Sequence, residues 1–395
     1  MKNLSFLKSA ALLLIFFLLR INMSFAQTWS EANDGNIGSD ITGFVSESNQ
    51  IYASSDASGV FVTDNNSIHW SATNNGLTST FVNALYSYGG NLYAGTYGNG
   101  VYVSHDGGNN WSLADSGFLQ LSVYTNTFIS LDTFLFVGND DAGYSSTDSG
   151  KHWQVVPWLG LQEVKSFAVD GNVLYAGTEY GMHVSTDSGA TWPYANNGFP
   201  AEETITHITV SSNRVLCVMY QHGVFSSTDS GANWIASSSG IPSSANILSL
   251  FADGSTVYAG TETNGIYRST DNGATWSNYS FGQSLPKITA FCKSNGIIYA
   301  GTDVSGVLKL EDAASAVPTI ASTSLHLYPN PAADEIFIQD DLSGIKEIRI
   351  VDAIGRCVWH SSENGISSKE ISVEHLSPGI YTAIVDGTAM TFEKY

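Results

Sequence analysis

Charged residues are scarce in this chain. Asp, Glu, Lys and Arg make up 13% of its 395 residues, about half of the roughly 25% usual in globular proteins. A coiled coil or a charge-rich disordered chain is thereby excluded. Basic residues are scarcer still, since 15 against 36 acidic ones give a formal charge of −21. That balance disfavours nucleic acid and anionic membrane surfaces as partners, because both draw basic patches. Cysteine occurs three times, at 217, 292 and 357. An odd number spread so far apart makes no disulfide framework and predicts buried free thiols. No serine-nucleophile motif, metal-ligand cluster or phosphate-binding loop is present, so neither a catalytic residue nor a cofactor or metal is assigned. What is abundant is glycine (38), tyrosine (19) and tryptophan (9) in a chain that is 43% hydrophobic, the composition of a β-rich globular protein.

Residues 1–26 read as a signal peptide. Lys2 and Lys8 precede an apolar run from Ala10 to Leu19, and Ser24-Phe25-Ala26 places small residues ahead of a cut between Ala26 and Gln27. Ten apolar residues are too few to span roughly 30 Å of hydrocarbon as a helix. No later stretch is long and apolar enough to do so, which predicts a mature chain without a transmembrane segment, secreted or held at the outer cell surface after passing the periplasm.

Seven tryptophans, at 29, 70, 111, 153, 192, 234 and 276, recur with spacings of 39 to 42 residues, the mark of a repeat architecture. Each period carries the same inner pattern: an apolar strand such as Ile247–Phe251, a Gly/Asn/Asp turn, a Tyr-Ala-Gly-Thr strand such as 258–261, a third strand such as 265–269, and a fourth opening at the tryptophan. A lone four-stranded sheet leaves both faces wet, so repeats must bury them against one another, and closing the array into a ring removes its ends. The seventh copy (282–310) lacks a following tryptophan, whereas the chain begins with an orphan strand around Trp29. The pattern therefore predicts an all-β, seven-bladed β-propeller over residues 27–312 closed by the N-terminal strand, then a linker (313–324) and a small β-sandwich (325–395).

Before five of the tryptophans the chain spells Ser-x-Asp-x-Gly-x-x-Trp: Ser104 to Trp111, Ser146 to Trp153, Ser185 to Trp192, Ser227 to Trp234 and Ser269 to Trp276. A worn copy has Thr63, Asn65, Ser67 and Trp70 in the corresponding places. Asp106, Asp148, Asp187, Asp229 and Asp271 can each accept N–H groups of their own turn, Gly supplies a positive φ, and the Trp ring packs between sheets. These octets resemble the Asp-box (BNR) repeat of sialidases, sortilin-type receptors and some glucan hydrolases. The resemblance implies a structural role for the box on outer hairpins. Sialidase chemistry, by the same resemblance, needs a clamp of three arginines, and residues 27–318 hold only Arg214 and Arg268.

In the tail, Tyr328-Pro329-Asn330-Pro331-Ala332, Gly355-Arg356, Leu376, Gly379, Tyr381 and the near-terminal Lys394 resemble the C-terminal sorting domain of the Bacteroidetes type IX (Por) secretion system. That resemblance implies an outer-membrane translocon and a sortase as partners, with attachment of the cargo to the cell surface.

The residue after each Tyr-Ala-Gly-Thr strand opens the loop between second and third strands. Around the array it is Asp56, Tyr97, Asp140, Glu179, Tyr220, Glu262 and Asp303, an expected acidic and aromatic rim on one face. Loops carrying Asp40, Trp158 and Glu163 are expected on that face too. Carboxylates and aromatic rings together suit cations, basic peptides or sugars, and an acidic residue also simply suits such a turn. His183, His207 and His222 read as ordinary strand or turn residues. The expected function is a surface binding module with a glycan or protein ligand. A non-sialidase glycan hydrolase using rim-loop carboxylates is the alternative, since paired acids at suitable separation cleave glycosidic bonds; the loops offer Asp40, Glu163, Glu202 and Glu203, of which adjacent Glu202 and Glu203 read more readily as a solvated loop.

Overall fold

The structure, a computed structural model, describes residues 27–312 and 326–395 apart from 35–36, 39, 48, 65–67, 121–122, 201–202, 340–347, 353–355, 361–369 and 386–387. The predicted signal segment with Ala26, the linker, Asn65, Ser67, Glu202 and Gly355 lie outside the described residues, as does the side chain of Trp158. The chain divides into two compact units between Asp312 and Ala313.

The first unit holds seven small antiparallel sheets and no α-helix among its described residues. The first sheet is typical: Ile41–Glu47, Gln50–Ser55, Gly59–Asp64 and Ser71–Ala72 lie side by side in chain order. Later sheets open at Val82, Thr125, Val164, Ile205, Ile247 and Ile288. In the last, the fourth position is taken by Gln27–Glu31, which pairs antiparallel with Val307–Asp312, Trp29 opposite Leu310. The first strand of each sheet lies beside that of the next, and the first strand of the seventh sheet lies beside that of the first.

Four strands per repeat fails once. The fourth sheet keeps three strands, Val164–Asp170, Val173–Thr178 and Gly181–Ser185, and beyond them only a single bridge from His183 to Tyr194. Pro193 follows Trp192 and has no N–H, so one bond of the two-residue pairing seen in the other sheets cannot form.

Packing explains the tryptophan comb. Alternation sends one face of each sheet toward each neighbour, and seven apolar clusters fill the seams, each with one buried tryptophan. Trp29 sits with Tyr258, Ile266 and Tyr279 of the sixth sheet and Ile288 and Leu308 of the seventh.

The second unit has a three-stranded sheet (His326–Tyr328, Glu335–Gln339, Glu370–Ser372) and a four-stranded one ordered Cys357–His360, Ile348–Asp352, Gly379–Val385, Thr388–Lys394. Ile336, Ile348, Ile350, Ile371, Ala383 and Phe392 form their shared core. All three cysteines are free, and Cys217 and Cys292 are buried, but Cys357 is exposed. The expectation of a buried thiol fails there because Cys357 opens the edge strand of its sheet, where neighbours cover only one side.

Candidate functional site

Each octet is a self-contained polar knot. In all five the Ser Oγ donates to the Asp Oδ1 at 2.6–2.9 Å and accepts the Gly N–H at 2.8–2.9 Å. The same Oδ1 accepts the N–H of the residue before the tryptophan at 2.8–2.9 Å. That residue's side chain donates to Oδ2 where it is Asn110, Thr191, Asn233 or Thr275, and His152 pairs with it through Nδ1. These bonds, foremost those from His152, Thr191 and Ser269, hold the carboxyls of Asp148, Asp187 and Asp271 at about 2, and those of Asp106 and Asp229 also lie below the usual range. Three bonds on its two oxygens tie each carboxylate to its own turn.

The tryptophans tie sheet to sheet. The indole N–H of Trp111, Trp153, Trp234 and Trp276 donates at 2.7–2.8 Å to a carbonyl of the preceding repeat (Thr73, Ala114, Ala195, Ser237). Trp70 bonds Ala32 O and Trp29 bonds Tyr279 O, both at 2.9 Å. Trp192 departs from the rule and bonds Gly189 O of its own octet. The carbonyl at the corresponding place, Val156 O, accepts Leu159 N–H in the short 3₁₀ turn Pro157–Leu159.

The seven predicted rim residues occupy corresponding places. Six of them, Asp56, Tyr97, Asp140, Glu179, Tyr220 and Glu262, donate their backbone N–H to the carbonyl sixteen positions earlier, beside the start of their own sheet's first strand, at 2.9–3.4 Å. In the seventh sheet Asp303 O accepts the N–H of Asp40, tying it to the first sheet. Tyr97 and Tyr220 are about half exposed, as are Phe81 and Tyr180 on adjoining loops, and Tyr97 stacks on Tyr124 with ring centroids 3.8 Å apart. Burial, then the neighbouring Asp40, raises the Asp56 carboxyl. The Asn246 amide and Lys287 lower that of Glu262, whose salt bridge to Lys287 is 3.1 Å. Glu163 accepts from Lys165 Nζ and Asn126 Nδ2. Among the described residues no group of three or more His, Cys, Asp or Glu side chains is placed to hold a metal ion. Arg268 lies over the Tyr279 ring and Arg214 reaches Ser226, so both are engaged within the sheets.

A feature that sequence inspection missed lies just below the rim. All seven first strands carry a bulge at their second residue, which frees that side chain from the strand's alternation. Thr42, Asn83, Asn126 and Thr289 use it to donate to the carbonyl of Val82, Thr125, Val164 and Ile41 respectively, each opening the next sheet. Between the sixth and seventh sheets Ser249 does the same to Ile288 O. In the fifth sheet the bulge residue is Thr206, whose hydroxyl instead meets His207 Nδ1 at 3.1 Å, and in the sixth it is Leu248. Between those two sheets a cleft of about 440 Å³ opens, lined by Thr206, His207, Met219, Tyr220, Gln221 and Asn246 among others. The recurring Thr/Asn was visible in the sequence, but its meaning required the register.

In the second unit the Tyr328–Ala332 motif closes a sheet edge. Asn330 Nδ2 donates to Thr391 O and its Oδ1 accepts Glu393 N–H, at 3.2 and 3.0 Å. Ala332 N–H donates to Glu393 O, and Tyr395 N–H to Ala332 O. The outer edge of the last strand is thus satisfied by side chain and backbone of the motif, with Pro329 and Pro331, both preceded by cis bonds, flanking Asn330. Tyr328 stacks on Phe337, Tyr381 OH donates to Ser377 O, and Lys394 is buried with its Nζ on Tyr395 O. Gly379, Tyr381, Leu376 and Arg356, distant in sequence, line one cleft of about 610 Å³.

Residues 326–394 match the family described as the secretion system C-terminal sorting domain, so the chain carries a type IX secretion sorting tail. Such a tail directs secretion to the cell surface or outside. No curated protein matches the chain. Among solved structures it is similar to PorZ, a surface component of the type IX secretion system of Porphyromonas gingivalis, with a TM-score of 0.55 and 14% identity over 90% of this chain and 59% of that one. It is also similar to YCF48 from Cyanidioschyzon merolae (TM-score 0.57, 15% identity, 72% of this chain and 98% of that one). A third likeness is to the GH74 xyloglucanase of Xanthomonas campestris (0.56, 16%, 83% and 57%). This chain therefore spans less than two thirds of PorZ and of the xyloglucanase. At such identities the likeness shows the fold alone, a β-propeller. Among the described residues no helix is long and apolar enough to cross a membrane.

Proposed function

We propose that the protein is a secreted or surface-held binding module: a seven-bladed propeller whose N-terminal strand completes the last blade, cut from a signal peptide after Ala26. In this reading the octets are Asp-boxes that rigidify the outer hairpins. The tail, joined through a linker at 313–324, is read by the type IX translocon and then by a sortase. Closure is supported by Trp29, which makes the same inter-sheet indole bond as its counterparts across 250 positions of sequence.

The observation that carries the binding role is the repeated backbone bond that sets Asp56, Tyr97, Asp140, Glu179, Tyr220 and Glu262 at equivalent places, with exposed aromatic rings between carboxylates. Rigid sheets presenting variable loops are a usual platform for recognition. The test is retention of glycans and peptides on the purified chain, with turnover monitored throughout. A ligand bound to the acidic arc loses affinity on the double replacement Glu179→Gln with Glu262→Gln. Undiminished affinity for every retained ligand sinks the acidic-rim reading, and hydrolysis of a retained glycan replaces the binding module by a hydrolase.

A further inference from the structure

We infer that the cleft between the fifth and sixth sheets is a binding site for an uncharged carbohydrate, with Tyr220 as the stacking surface and Gln221 as a hydrogen-bonding arm. The inference rests on the reading of the propeller as a surface binding module and names the ligand class of one part of its rim.

Departures from the repeat converge there. Met219 ends the second strand where four other sheets carry Thr96, Thr178, Thr261 and Thr302. His207 fills the position after the bulge where Gly43, Ala84, Ser166 and Ala290 are small. Leu248 stands where four sheets have the Thr or Asn clamp. Gln221 adopts φ +60, the left-handed region, at the place where the second sheet has Gly98 at φ +89. A side chain in that conformation is strained relative to glycine, and strain of this kind gathers at ligand sites. Where one stretch of a regular array breaks several local rules at once, function is the usual reason.

The polar side chains of the cleft walls are uncharged. The cleft, at about 440 Å³, lies within the roughly 300–1,000 Å³ typical of small-ligand sites. Its polar groups are hydroxyls, amides and one imidazole: Thr206, Ser243, Ser244, Asn246, Gln221 and His207. Desolvation lowers the His207 imidazole, and with Nδ1 on the Thr206 hydroxyl its Nε2 is left to donate to or accept from a ligand. No carboxylate, lysine or arginine lines the cleft, and Glu262, which reaches it through Asn246, is already paired with Lys287. An anion would face the acidic arc, and a cation would find no counter-charge inside. A sugar ring offers what remains: an apolar face for the half-exposed Tyr220 ring and hydroxyls for amides and side-chain hydroxyls.

The test uses the full chain with calorimetric titration of neutral tri- to hexasaccharides of the gluco-, manno-, galacto- and xylo-series, beside oligogalacturonate, chitosan oligomers and a basic peptide. The expected result is binding of a neutral oligosaccharide that weakens about tenfold or more in Tyr220→Ala and in Gln221→Gly. Gln221→Gly removes the amide and relieves the backbone, so its thermal stability should match or exceed that of the parent. Failure to retain any neutral oligosaccharide overturns the inference, as does neutral binding indifferent to both replacements. If only the basic peptide binds and Glu179→Gln with Glu262→Gln weakens it, the acidic rim stands without this site. If nothing in either set is retained, the rim reading falls with it.

Discussion

Replacing Gly198 by alanine should damage the protein far more than replacing Gly254, although both are exposed to the same conformational objection. Both have positive φ, +97 at Gly198 and +61 at Gly254, so an added Cβ costs each roughly 1–2 kcal/mol. Space separates them. Around Gly254 nothing lies within 4 Å of an added Cβ, whereas at Gly198 it would fall on the Trp234 carbonyl oxygen and 3.0 Å from that residue's C and N. The obstruction is backbone, so the loop must open by roughly 1 Å to restore ordinary contact. Opening it strains the bond from Trp234 N–H to Asn197 O (2.9 Å) and the indole bond to Ala195 O (2.8 Å), each with a net value of about 1 kcal/mol. The sum is about 3–4 kcal/mol for Gly198→Ala against about 1–2 for Gly254→Ala. At about 2 °C per kcal/mol for a domain of this size, calorimetry should read a fall in Tm of about 6–8 °C in the first variant and about 2–4 °C in the second. Equal shifts would show that the loop at Gly198 does not bear on Trp234.

Acid should loosen the octets. Asp148, Asp187 and Asp271 are held at about 2, below the unfolded value of about 3.9, so their stabilisation is complete above about pH 4 and disappears as pH falls toward 2; thermal scans from pH 4.5 to 2 should show that loss, reduced in Asp187→Asn. Asn330→Ala leaves Thr391 O and Glu393 N–H of the last strand without their motif partner, exposing an edge of the kind that pairs with other chains. The full chain carrying it should self-associate on gel filtration and reach the cell surface in reduced amount, and monomeric, normally exported variant protein would remove the edge-closing role.

Much of the fold was legible because its causes repeat. The tryptophans recur because each seam takes one large ring, and in six of the seven its N–H donates to the preceding repeat's carbonyl; Ser and Asp of each octet act on their own turn, within reach of a local reading. Pro193, in plain view, already withdrew one bond from the fourth sheet, but its consequence depends on which residue faces it across the ladder. The rim pattern was readable from spacing. The cleft was not, because His207, Gln221 and Leu248 look unexceptional singly, and their meaning comes from register: which positions are small, left-handed or clamped in the other sheets.

Hydrogen exchange at the N-terminal strand tests the central claim most directly. If Gln27–Glu31 is an integral part of the last sheet, its ladder amides should exchange as slowly as those of Val307–Asp312, to which they are paired, and should be released together with them as denaturant is added. Exchange of residues 27–31 at the rate of unstructured chain, while 307–312 stays protected, would contradict it.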